Sequence, residues 1–285
     1  NRNFCMIRMK RLCYALLLLF SILSAGQVSA QVIDEMGDES KLYASTKLVN
    51  QFFRRFNGEE DEKGERYYEG NKNFHDPAIR RRYIGILFDN QNTMIPASLK
   101  KEFAQEMTDK SEQKFLDFHS GNWMAEVNAL FTYQGKEQPV TLFMKLQPQR
   151  LGYEWVIEEV YFEPFKKYFH KDTTAAKKFL HPMSHELDFM NLRKAFQESE
   201  NPESYTPDEF APSYLTLFLY EMKRGNLKFK TVREVKFHFF QLNNWYFEVS
   251  QFNRSGYNSG WLISNIVKTS EENKKAIKNY LYGKN

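Results

Sequence analysis

The residues best placed to move a proton are two adjacent carboxylates. In "GYEWVIEEV" (152–160), Glu158 and Glu159 stand side by side within a β-branched run. Strand alternation sends neighbouring side chains to opposite faces, and Glu159 keeps phase with Trp155, Ile157 and Tyr161. A carboxylate on a buried face, its pKa set by burial, can act as a base near neutral pH, so Glu159 is the candidate catalytic residue. The plainer alternative is an exposed or ion-paired Glu. His181 and His185 stand four apart, a spacing that puts two imidazoles on one helix face where a metal could be held. Pro182 lies between them and fits only the first turn of a helix, so surface or capping histidines are the better reading and no metal site is expected. His238 alternates with Glu234 and Lys236, which marks a solvent face, and His75 precedes Asp76 and Pro77 in a charged loop. No nucleophile elbow, phosphate-binding glycine loop or zinc-protease motif occurs, so no cofactor is expected.

These residues are set on a pattern written twice. "RLGYEWVIEEV" (150–160) and "RSGYNSGWLISNI" (254–266) share Arg-x-Gly-Tyr, a gap, Trp, an apolar pair and a final Val or Ile. Each follows two strand-like runs: 123–133 and 139–147 in the first half, 233–242 and 244–252 in the second. Alternation puts Trp123, Val127, Phe131, Val140, Leu142, Met144 and Leu146 on one face, and Val235, Phe237, Phe239, Trp245, Phe247 and Val249 on another. Asn265 is the counterpart of Glu159, and Trp261 that of Trp155. The inner faces hold almost no titratable group, which predicts filled interiors. Two unrelated hairpins that each end in a Trp strand are the competing reading. Helical periodicity falls on 41–56, 78–88, 97–107, 184–198 and 212–223, with a closing helix over 270–282 capped from Thr269; the runs 57–76, 164–183 and 199–211 read as loops.

The first thirty residues have the layout of a secretory signal: Arg8, Lys10 and Arg11, an apolar run over 12–23, then small residues ending at Ala30, where cleavage is expected. The apolar run is shorter than the roughly 20 residues a spanning helix needs, so no stable membrane span is expected after cleavage; an uncleaved anchor is the alternative. The chain carries 40 Lys and Arg against 36 Asp and Glu, and four of those bases lie in the signal, which leaves 36 against 36. A balanced chain lacks the cationic footprint of a nucleic-acid binder. Cys5 and Cys13 both lie in or before the signal, so the exported part forms no disulfide. Aromatic residues make up 16% of the chain, yet most fall on core stripes, so packing explains them better than sugar stacking. Tyr67 and Tyr68 lie outside any stripe and are candidate interaction residues.

Helices followed by three long antiparallel strands, the last carrying Gly, a gap, Trp and a β-branched pair, resemble the nuclear transport factor two-like superfamily. The resemblance covers roughly 31–165 and 180–285 and is carried most specifically by the Trp155 and Trp261 strands; the early strand usual in that family is not evident here. It implies an α+β chain of two tandem cone-like domains, each with N-terminal helices packed on a curved antiparallel sheet. The organisation expected is a signal over 1–30, a first cone over 31–165, a linker over 166–183 and a second cone over 184–285. The superfamily contains isomerases, binding modules and periplasmic assembly domains, and fold alone does not choose among them. The filled inner faces favour an exported, non-catalytic binding or assembly module of the periplasm or cell surface, with a protein or small-molecule ligand as partner. Trp155, Tyr161, Asn265 and Trp261 are its candidate pocket residues. The alternatives are an isomerase or dehydratase with Glu159 as base in the first cone, or a periplasmic component of a secretion apparatus.

Overall fold

In a computed structural model, residues 49–61, 64–150, 152–168, 192, 197, 202–207, 209–254 and 258–283 are described. The expected signal peptide, His181 and His185 lie outside them, as do most of the helix expected over 184–198 and most of the expected linker.

Alternating apolar residues form six strands: β1 (Trp123–Tyr133), β2 (Lys136–Gln149), β3 (Gly152–Tyr161), β4 (Leu227–Phe239), β5 (Trp245–Phe252) and β6 (Gly260–Lys268). Gln134 and Gly135, both with positive φ, make the tight β1–β2 turn that a right-twisted hairpin requires. A helix runs through residues 52–57 (α1). It is followed by α2 (Pro77–Ile86), α3 (Ala97–Met107), the short α4 (Glu163–Lys166), α5 (Tyr214–Lys223) and α6 (Glu271–Leu281). Asp76 caps α2 by accepting from the Ala78 and Ile79 amides, with Pro77 at the first helical position. The cap of α6 is Ser270, which accepts from the Asn273 amide, one residue later than the expected Thr269.

The fold is α+β, and all six strands lie in one antiparallel sheet of order β3-β2-β1-β4-β5-β6. The strands expected in separate cones are joined in the middle: β1 pairs with β4 from Trp123↔Phe239 to Tyr133↔Leu227. Ala125 pairs with Met144 on one side and Phe237 on the other, while Phe237 pairs with Ala125 and Val249. The outer ladders run in matching register. Trp155 stands opposite Leu146 and Trp261 opposite Gln251; Ile157 then faces Met144 and Ile263 faces Val249. At the next step both ladders shift register, and Glu159 falls opposite Phe143 while Asn265 falls opposite Glu248.

The helices do not stay with their own strands. Phe52 and Phe53 of α1 pack on Phe239, and Phe53 on Trp123; Phe103 of α3 packs on Trp245 and Phe247 at 5.1 and 5.7 Å. Helices that precede β1 thus cover β4 and β5. Conversely, α5, which precedes β4, buries Phe218 with Phe131, Val140 and Val160 of the first three strands. Between the two helix groups the aromatic stack continues through Trp123–Phe239 (5.5 Å, 9°) and Phe239–Phe247 (4.6 Å, 3°). The expected inner-face residues Trp123, Phe131, Val140, Phe237, Phe239, Trp245, Phe247 and Val249 are all buried. Such rings contribute both burial and roughly 0.5–1.5 kcal/mol per favourable pair beyond it.

The crossover makes a specific demand on α3. Phe103→Ala should cost roughly 3–5 kcal/mol in urea unfolding, and its fast hydrogen exchange should appear in β5, not in β2. Faster exchange confined to β2 would contradict the crossover.

Candidate functional site

One face of the sheet is occupied by the aromatic core; the other collects the titratable groups. The register shift at the end of β3 decides which face Glu159 joins. Trp155 and Ile157 lie opposite Leu146 and Met144, but after the shift it is Val160 that lies opposite Leu142 and enters the apolar cluster beneath α5. Glu159 and Tyr161, opposite Phe143 and Thr141, therefore face away from Trp155. This corrects the expected phase: a β-bulge puts two successive residues against one partner and resets alternation. Trp155 and Trp261 remain on the aromatic face, flanking Phe237 at 6.4 and 4.8 Å. Asn265 shares the polar face with Glu159, but the two stand on opposite edge strands, five strand spacings or on the order of 20 Å apart, too far to form one site. Tyr67 is half-buried and its hydroxyl meets that of Tyr83, whereas Tyr68 is 63% exposed beneath the Arg66 guanidinium.

Two polar clusters occupy this second face. In the first-half cluster, Glu158 accepts from Tyr282 at 2.6 Å and from Lys145 at 2.9 Å, with Lys278 of α6 at 3.5 Å. Burial pushes Glu158 up, but the Tyr282 and Lys145 hydrogen bonds outweigh it and hold the carboxyl below its usual range. Burial, Glu158 and the charge of Glu159 together drive the Tyr282 phenol well above its ordinary value. Tyr282 also packs on Phe143 at 4.9 Å. Gly283, at φ 67, permits this seat: a Cβ there would lie 2.6 Å from the Tyr161 ring.

The second cluster was not legible from the pattern. His238, expected on a solvent face, is 1% exposed, set between Met124 and Glu248 of the neighbouring strands and stacked parallel to Tyr246. Its Nε2 meets Glu126 Oε2 at 2.7 Å and its Nδ1 meets the Tyr246 hydroxyl at 2.8 Å. Tyr246 donates to Glu248 at 3.0 Å, and Asn265 donates to the same carboxylate oxygen. The phenol gives its one proton to Glu248, and the His238 ring bridges that phenol oxygen and Glu126 through its two nitrogens, donating or accepting at each according to its tautomer. The sequence signal was the pairing of His238 with Tyr246-x-Glu248 on the next strand, readable only with the hairpin register. Burial raises Glu126, but the His238 hydrogen bond and charge, with Lys236, bring it below the ordinary 4.5. Tyr246 is driven far up, by burial first and by Glu248.

The line of carboxylate, imidazole, phenol and carboxylate crosses the sheet with its imidazole out of solvent's reach. The arrangement therefore serves as a strut across β1, β4, β5 and β6. Among the described residues no group of three or more His, Cys, Asp or Glu is placed to hold a metal ion, and no helix is long and apolar enough to cross a membrane. No protein family, curated protein or solved structure matches this chain.

Two measurements test the strut. Tyr246→Phe removes the hydroxyl that partners a buried ring nitrogen and should cost roughly 1–3 kcal/mol in urea unfolding; an unchanged midpoint would show the contact to be idle. Because Glu126 has a folded pKa below its unfolded value, its contribution is complete above pH 4.5 and is lost as pH falls through the lower folded value. Glu126→Gln should therefore be less stable than wild type near pH 7, and the gap should narrow in acid. A gap that widens on acidification would contradict the assignment.

Proposed function

We propose that the chain is an exported, non-catalytic binding or assembly module of the periplasm or cell surface, made of two tandem cone-like halves of the nuclear transport factor two type. One observation carries the reading. The sheet face on which an enzyme of this type would hold a reactant is filled by stacked rings from both halves, and the carboxylate expected to work there, Glu159, belongs to the opposite face beside Tyr282. The matching register shifts in the β2–β3 and β5–β6 ladders support related halves, and the signal layout supports export. The filled core gives rigidity, which suits a scaffold whose outer surface does the binding.

Native mass spectrometry of the chain recovered from its own cell envelope tests this directly. The expected species begins at Gln31 and is held in a complex with another protein. A lone chain that retains residues 1–30 in the cytoplasm would overturn the reading.

A further inference from the structure

The two long edges of the second half are treated differently. The β6 edge is covered: Ile263 donates to the Leu87 carbonyl at 2.7 Å and accepts from the Asp89 amide at 3.0 Å. Arg254 clamps that segment through Asp89 at 2.6 Å. The other edge belongs to β4. Its partner β5 pairs with it only over Lys236–Phe239, whereas β1 pairs along its whole length. Among the described residues, no strand pairs with 228–234 on the side away from β1.

That stretch carries lysines and two register shifts, ordinary guards of an open edge, but it also leaves apolar side chains uncovered. Phe229 is 56% exposed and Val232 36%, and both lie opposite aromatic-face residues of β1, Phe131 and Ala129. Below them the edge is firm, with Leu227 buried under α5 and the Phe229 ring 5.5 Å from Phe131. The exposed charges beside them are Lys228, Lys230 and Arg233, with Glu234 at the far end; Lys230 reaches Glu137 across β1. Two register shifts, at Lys230 and Arg233, turn these charges along the edge. With three cations against the single acid Glu234, the stretch is net positive, and that charge favours an acidic partner.

We propose that the open edge of β4, residues 228–234, receives an extended strand of another protein, one that alternates apolar and acidic residues. The proposal rests on the binding-module reading above. Its backbone would complete the ladder that β5 leaves unfinished, its apolar side chains would cover Phe229 and Val232, and its acids would face Lys228 and Arg233.

The test uses the full mature chain and synthetic peptides of about ten residues, the length of a strand. One peptide alternates Val and Glu, a second alternates Val and Lys, and a third is the Val–Glu peptide with N-methyl groups on one hydrogen-bonding edge. Fluorescence anisotropy should show the Val–Glu peptide binding at least about tenfold more tightly than either control, with the difference from the Lys peptide shrinking at high salt. Amide exchange should slow over 228–234 and stay unchanged in β6. The double variant K228E/R233E changes two exposed side chains and should reverse the peptide preference while leaving the circular dichroism intact. Equal binding of the Lys peptide, binding without slowed exchange over 228–234, or no binding of the Val–Glu peptide would each overturn the proposal. An envelope complex that survives K228E/R233E would overturn this edge while leaving the module reading standing; absence of any complex would sink that reading instead.

Discussion

The pairing of β1 with β4 is the constraint on which everything else depends. Two three-stranded units of this kind would each end in a long edge of unsatisfied backbone groups, and burying such groups unpaired is costly. Joining the two edges satisfies both and places Ala125 and Phe237 at the centre of one sheet. It also removes the choice of a local core. Once the strands of both halves share a face, the helices that precede one half lie over the other, so Phe53 meets Trp123 and Phe239 together, and Phe103 meets Trp245. Neither half then has an interior of its own.

The polar face follows from the same junction. His238 is buried because β4 is a central strand with Met124 on one side and Glu248 on the other. A histidine at that place on an edge would be solvated and would need no partners. Centred in the sheet, it needs both ring nitrogens satisfied, and Glu126 from one half and Tyr246 from the other supply them. α6 pins the neighbouring region, since Lys274 donates to the Phe240 and Leu242 carbonyls while Tyr282 reaches back to Glu158. The last helix of the second half thereby closes over strands of the first.

Much of the local structure was legible. The strands over 123–133 and 244–252 and the helix over 97–107 follow from periodicity, whereas Asp76, read as part of a charged loop, proves to be a helix cap. The repeated Trp strands led to positions that do correspond in the ladders. What alternation could not supply was phase after an irregularity. Glu158-Glu159 and Ser264-Asn265 are each a pair of polar neighbours in an otherwise apolar run, and that is the compositional trace of a bulge. Reading through it sent Glu159 to the wrong face. Nor could periodicity show that β1 and β4, about a hundred residues apart, are neighbours, because pairing is chosen by what closes the sheet and not by either strand alone. The burial of His238 was lost with it.

The four tryptophans make the central claim directly measurable, since Trp123 and Trp155 belong to the first half and Trp245 and Trp261 to the second. With fluorinated tryptophan, each ring gives its own resonance during urea unfolding. A shared sheet and interleaved core predict that all four native signals disappear at one midpoint. If Trp123 and Trp155 melted together at one urea concentration and Trp245 and Trp261 at another, the halves would be independent and the β1–β4 junction would not hold them as one.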